Sequence, residues 1–256
     1  MKLSGNTILI TGGGSGIGEA LAHRFHDLGN SVIVAGRRPE ALESAIAGRP
    51  NMSAMTLDID SSEAIADFAR RIVAEHPALN VVINNAGMMR FEALDTARDI
   101  ADAEATITTN LLGPIRLTNA LIDHLAAQAD AAIVNVTSGL AFVPLVATPT
   151  YSATKAALHS YTVSMRDALK GKVEVIELAP PAVRTSLTPG QATRPGYQPL
   201  AEFIDEVMTL FAQQPTPPEI LVERVHFLRD AEAEGRFEQA LATINDFARQ
   251  AREAQD

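Results

Sequence analysis

Short runs of β-branched and aliphatic residues alternate along the chain with longer stretches whose apolar positions recur every three or four residues. The runs TILIT (7–11), SVIVAG (31–36), SAMTLDI (53–59), VVINNA (81–86), AAIVNVTS (131–138) and KVEVIELA (172–179) read as strands, with EILV (219–222) as a weaker seventh. The first, second, fourth and fifth are almost continuously apolar, the pattern of parallel strands covered on both faces. Between the strands, GEALAHRFHDLG, SSEAIADFARRIVAEH and ATITTNLLGPIRLTNALIDHLAAQ carry helical spacing. Strand and helix in alternation predict an α/β fold, a Rossmann-type doubly wound parallel sheet of about seven strands with helices on both faces. There is no internal repeat or low-complexity linker, so residues 1–256 read as a single domain.

One segment breaks the rhythm. Pro180, Pro181, Pro189, Gly190, Pro195, Gly196 and Pro199 crowd a short stretch after the sixth strand. No helix or central strand tolerates that density. The expectation is a surface loop acting as a substrate loop or lid, drawn as 180–215 in all. The last stretch, from LVERVHFLRD onward, reads as helical and solvated at its end.

Composition narrows the function. The formal charge is 21 − 31 = −10, which argues against a nucleic-acid surface and gives no pull toward anionic membranes. The absence of cysteine excludes disulfides and thiolate chemistry. The N-terminal MKLSGNTILITGGG reaches its glycines too early for a signal peptide, and no apolar run is long enough to span a bilayer. A cytoplasmic location is the expectation.

TILITGGGSGIGEALAHRF is strand, glycine turn, helix. Gly12, Gly16 and Gly18 let the backbone turn tightly and let a pyrophosphate approach it. Gly14, Ser15 and Ile17 complete the turn, and the amides opening the next helix meet the negative charge. A nucleotide is the expected ligand; a bare strand-to-helix turn is the alternative. The second strand ends AGRRPE. An acidic residue there would hold both ribose hydroxyls and favour NAD. Gly36 instead leaves room while Arg37 and Arg38 bring positive charge, so NADP(H) is preferred, with NAD(H) as the alternative. Asp58 and Ile59 close the third predicted strand, where an adenine would lie.

PTYSATKAAL (149–158) sets Tyr151 and Lys155 four positions apart on one helix face. TGGGSGIG, NNAG (84–87), Asn110, Ser138 and YSATK together resemble the short-chain dehydrogenase/reductase family over roughly residues 1 to 185. TSGLAF with ATKAALHS is similar to a bacterial branch of that family named after the oxidoreductase of the D-alanine-esterification operon. The resemblance implies a hydride transfer between a nicotinamide and a carbonyl or secondary alcohol. Tyr151 would be the general acid/base, Ser138 would orient the substrate oxygen, and Lys155 would tune Tyr151 and hold the nicotinamide ribose. Asn110 would support a water chain. It further implies that Asn85, Ala86 and Gly87 line the adenosine ribose and that Val183 and Thr185 hold the carboxamide. A homodimer or homotetramer is the family expectation. A nucleotide-sensing protein without catalysis is the reading of another class, and the intact Ser138, Tyr151 and Lys155 argue against it.

A unit charge ~4 Å from the phenol supplies ~4 kcal/mol at an effective dielectric of ~20. That is enough to move a phenol from ~10 toward ~7, provided the site is mostly dry. Met88, Leu140 and Pro181 join Ser138 and Tyr151 as substrate-pocket candidates, with Met89, Phe142, Leu187 and Tyr197 behind them. Pro181 stands where the family commonly has glycine, and the family's usual last strand and tail are missing. The six histidines show no ligand spacing, so no metal is expected. His159 is a candidate subunit contact.

Overall fold

The computed structural model describes residues 1–253. Seven strands form one sheet: β1 (Thr7–Thr11), β2 (Ser31–Gly36), β3 (Met52–Thr56), β4 (Leu79–Asn84), β5 (Ala132–Val136), β6 (Glu174–Leu178) and β7 (Glu219–Ile220). Their order is β3-β2-β1-β4-β5-β6-β7, and every pairing is parallel. Among the described residues there are nine α-helices: α1 (Gly16–Asp27), α2 (Pro39–Ile46), α3 (Ser62–Glu75), α4 (Ala101–Ile107), α5 (Gly113–Ala126), α6 (Pro149–Ala168), α7 (Leu200–Phe211), α8 (Glu223–Arg229) and α9 (Phe237–Glu253).

Successive strand side chains point to opposite faces, so the apolar runs feed two cores at once. Ile8 and Ile10 of β1 face the layer of α1 and α7, where Phe25 and Phe211 meet edge to face at 5.7 Å. Leu9 faces the other layer, with Phe68 and Ile72 of α3 and Leu121 of α5. The strand order reverses between β1 and β4, which opens a crevice at their carboxyl ends. The glycine turn leaves β1 there, beside the NNAG segment leaving β4.

Three expectations shift. The loop after β6 ends at Pro199: residues 200–211 are α7, with Phe203, Val207 and Phe211 fully buried. Its apolar periodicity belongs to the core, so the segment drawn as a lid to 215 stops short. The weak seventh strand is real but contains only Glu219 and Ile220, paired with Glu177 and Leu178. In the helical tail, Asn245 of α9 accepts from Val146 N–H at 2.8 Å and donates to Pro144 O at 3.3 Å. Phe247 packs on Gly196, whose position would bring a Cβ within 3.0 Å of the ring. The tail therefore straps the segment before α6 and the proline-rich loop.

Candidate active site

Gly12 turns the chain at φ +66, a conformation that favours glycine. Its amide donates to Ala35 O at 2.7 Å, tying the turn to β2. A Cβ on Gly18 would lie 2.4 Å from both Gly12 O and Asn85 Nδ2, so α1 starts closer to the turn than any side chain allows. Two residues passed over in the sequence complete this junction. Thr11 Oγ1 accepts the amides of Asn85 at 3.1 Å and Ala86 at 3.0 Å. Gly13 lies where a Cβ would meet Val34 Cγ1 at 2.7 Å. Asn85 Nδ2 returns a bond to Thr11 O at 2.9 Å. The pattern TGG was the available signal for both.

Above the turn lies a cavity of about 320 Å³ lined by Gly12, Gly14, Ser15, Arg37, Arg38 and Ile59 among others. It is continuous, through Gly12, Ser15 and Gly87, with a second of about 540 Å³ that reaches Ser138, Tyr151 and Lys155. Gly16, Ile17, Asn85, Ala86, Met88, Pro181, Val183 and Thr185 also line this second cleft. The glycine cradle, which side chains would fill, and the two arginines at its end fit a dinucleotide. Arg37 lies 3.4 Å from Asp60 Oδ2, while the Arg38 guanidinium has no partner among the described residues. Asp58 stands apart: its carboxylate accepts the Asp60 amide at 3.1 Å, and Leu57 and Ile59 line the cavity instead.

Ser138 sits just past β5 with extended backbone, and its Oγ accepts from Leu140 N–H at 3.1 Å. Leu140 contributes that amide and does not line the cleft. Tyr151 is 7% exposed, and the Ser138 side chain lies beside its phenol. Burial pushes the Tyr151 phenol up to about 12, with the neighbouring Ser138 opposing. Burial also pushes Lys155 down to about 8. The Lys155 ammonium donates to Val136 O at 2.8 Å and lies 5.6 Å from the Tyr151 ring centroid. In this protein alone desolvation therefore outweighs the lysine, and the expected drop of the phenol toward neutrality is absent. The lysine is turned into the site and not toward solvent.

Asn110 occupies a π-helical turn, Thr108–Leu112, between α4 and α5. Such a bulge re-aims one side chain, often at functional sites. Its Oδ1 accepts from Met88 N–H at 2.9 Å, and its Nδ2 donates to Met88 O at 2.9 Å and to Thr154 Oγ1 at 3.3 Å. It thereby joins the end of the NNAG segment to the helix of Tyr151.

The loop after β6 is better fastened than its prolines suggest. Gln191, 5% exposed, donates to Val183 O at 2.8 Å and Thr185 Oγ1 at 3.1 Å. The Thr185 side chain reaches over the glycine turn, 3.5 Å from where a Gly16 Cβ would be. Arg90 and Gln191 also line the cleft and went unread in the sequence, because loop residues without periodicity carry no local signal. Leu187 lines the cleft; Met89, Phe142 and Tyr197 do not. Tyr197 stacks under Arg194, and Phe142 lies edge-on to His159.

His23, His26 and His124 each pair with a backbone carbonyl. The fold does bring ligating atoms of His159, Glu177 and Glu219 within 4.8 Å of one another. Arg229 already serves Glu219 there, through Nε at 2.8 Å and a second nitrogen at 3.2 Å. Among the described residues no helix is long and apolar enough to cross a membrane.

Comparison with known proteins agrees with this geometry. The family model described as short chain dehydrogenase matches residues 6–195. The uncharacterised oxidoreductase DltE of Bacillus subtilis is 40% identical over 238 residues, covering 90% of this chain and 93% of its own. A crystal structure of a short chain dehydrogenase from Burkholderia cenocepacia in complex with NADP superposes with a TM-score of 0.80 at 26% identity, covering 96% of this chain and 99% of that one. One from Streptomyces avermitilis, with a TM-score of 0.79 at 24% identity over 97% of both chains, shares the fold. The chain belongs to the short-chain dehydrogenase family.

Proposed function

We propose that this protein is an NADP(H)-dependent oxidoreductase that interconverts a carbonyl and a secondary alcohol, with Tyr151 as general acid/base. The observation that carries this reading is the buried contact of Tyr151 with Ser138, one helical turn from a buried ammonium at Lys155. NADPH supplies the hydride when bound. Gly12, Gly14, Ser15, Gly16, Ile17 and Gly18 would hold its pyrophosphate side, and Asn85, Ala86, Gly87, Val183 and Thr185 the rest. Ser138 Oγ and Tyr151 Oη converge on one oxygen, which Ser138 orients and Tyr151 protonates.

The protonation states favour reduction. A phenol pushed up to about 12 is a donor at neutral pH. A charge at ~4 Å contributes ~4 kcal/mol, or about three units, which still leaves it protonated at pH ~7. Oxidation of an alcohol needs the phenolate and should gain with rising pH. Lys155, with its value near 8, keeps its ammonium only below that pH. Reductive kcat/KM should therefore be level to about pH 8 and fall above it; a profile still level at pH ~10, where an unburied lysine begins to titrate, would deny Lys155 this part.

The preference for NADP(H) rests on Arg38, whose guanidinium is free, and on Arg37, which Asp60 shares. The Burkholderia cenocepacia relative, crystallised with NADP, is consistent with it. Arg38→Ala should raise the KM for NADPH by roughly tenfold or more, the value of one charge-assisted hydrogen bond, and leave that for NADH nearly unchanged. Equal losses for both cofactors would remove the 2′-phosphate from the reading. The whole proposal is tested by a panel of aldehydes and ketones with NADPH, followed by its absorbance. Tight NADPH binding with no turnover across the panel would favour a nucleotide sensor.

A further inference from the structure

Glu177 is a carboxylate with no exposure, near the carboxyl end of β6 between the buried Ile176 and Leu178. A buried charge of this kind is costly unless it is fully paired. Its two oxygens have separate partners: Thr137 Oγ1 donates to Oε1 at 2.6 Å, and His159 Nδ1 lies 2.7 Å from Oε2. Thr137 immediately precedes Ser138. Its amide also donates to Leu178 O at 2.8 Å, so both its backbone and its hydroxyl are tied to β6.

The far side of Ser138 leads to the same histidine. Phe142 follows the short turn that Ser138 caps, and its ring meets the His159 imidazole edge-on at 5.1 Å. Arg229 covers the Phe142 ring at 4.9 Å. Segment 137–142 is thus held before Ser138 by Glu177 and after it by Phe142, and both holds end on His159. Neither Glu177 nor His159 lines the cleft.

We propose that Glu177 and His159 are positioning residues for Ser138: the carboxylate, seated on the imidazole, fixes Thr137 and so aims the Ser138 hydroxyl at the reacting oxygen. The role rests on the proposed reduction. Glu177 raises the basicity of His159, which favours the imidazolium that this carboxylate needs. The other charged groups facing the pair are Glu219 from β7 and Arg229 from α8, with Asp230 acting on Arg229, and they largely neutralise each other. That leaves the buried carboxylate and the imidazole as a matched pair.

The test compares Thr137→Val, Thr137→Ser and Glu177→Gln on a carbonyl substrate that the wild-type protein turns over, with Tyr151→Phe measured alongside. Thr137→Val keeps the shape and removes the donor; Thr137→Ser restores the hydroxyl. We expect Thr137→Val and Glu177→Gln each to lower kcat roughly tenfold, about one hydrogen bond, with NADPH affinity unchanged. The double variant should be no worse than the worse single one, because Thr137→Val removes the donor and Glu177→Gln the charge that strengthens one and the same contact. Thr137→Ser should recover near wild-type kcat. Full kcat in Thr137→Val, or a Thr137→Ser as impaired as Thr137→Val, overturns the inference. Those two outcomes decide the matter even if Glu177→Gln fails to fold. Full activity in Tyr151→Phe would instead overturn the general-acid reading, and this inference with it.

Discussion

Tyr151→Phe should lower carbonyl turnover by about 10²–10⁴-fold, the usual contribution of a positioned proton donor. The phenylalanine ring fits the same space, since Tyr151 is 7% exposed and is held through its backbone carbonyl by Thr154 Oγ1 at 2.7 Å. The loss is therefore one hydroxyl and not a displaced helix. Lys155 keeps its bond to Val136 O, and the glycine turn is untouched, so NADPH affinity should stay nearly constant. Stopped-flow turnover with parallel fluorescence titration of NADPH measures both. If turnover persists, a different group protonates the oxygen; if cofactor affinity collapses, Tyr151 is holding the nucleotide rather than a proton.

Gly18→Ala should be the most damaging conservative change at the nucleotide end. The added methyl would sit 2.4 Å from Gly12 O and Asn85 Nδ2. Neither atom can withdraw cheaply. Gly12 is bonded to Ala35 O at 2.7 Å, and Asn85 Nδ2 to Thr11 O at 2.9 Å. Overpacking of this type costs about 1–3 kcal/mol, and more where backbone must move. At ~2–4 °C per kcal/mol for a chain of this size, the Tm should drop by several degrees. NADPH affinity should fall further than stability does, because the shifted atoms are the floor of the cradle. Gly14→Ala is the comparison: its methyl would approach Ala41 only to 3.2 Å, so a smaller change is expected in both. Thermal melts and NADPH titration of the pair give the ranking, and equal behaviour would contradict the close approach of α1 to the turn.

Much of the architecture was readable before any coordinates. Continuous apolar strands such as TILIT and SVIVAG can only be central and parallel, and their alternation with amphipathic helices leaves few topologies. The glycine turn stood out at a strand end and Tyr151 with Lys155 on one helix face, 13 residues after Ser138, while Asn110 was named only through the family resemblance. Where the reading failed, the partner lay far away in sequence. Helix α7 resembled more loop because its apolar face is explained only by Phe25 and the sheet beneath it. Asp58 is a different case: its carboxylate accepts the amide of Asp60 only two residues on, a local turn, while Leu57 and Ile59 line the cavity.

Sequence alone determined the fold class and the family and named the candidate residues for the chemistry, because those follow from local periodicity and from side-chain types at short spacing. Tertiary structure decided the electrical state of the site. Burial of Tyr151 and Lys155, a property of the packed whole, sets their proton affinities against the simple attraction between a phenol and an ammonium. It also decided what stands behind Ser138: Glu177, Thr137 and His159 come from three different elements and meet only when β5, β6 and α6 pack together.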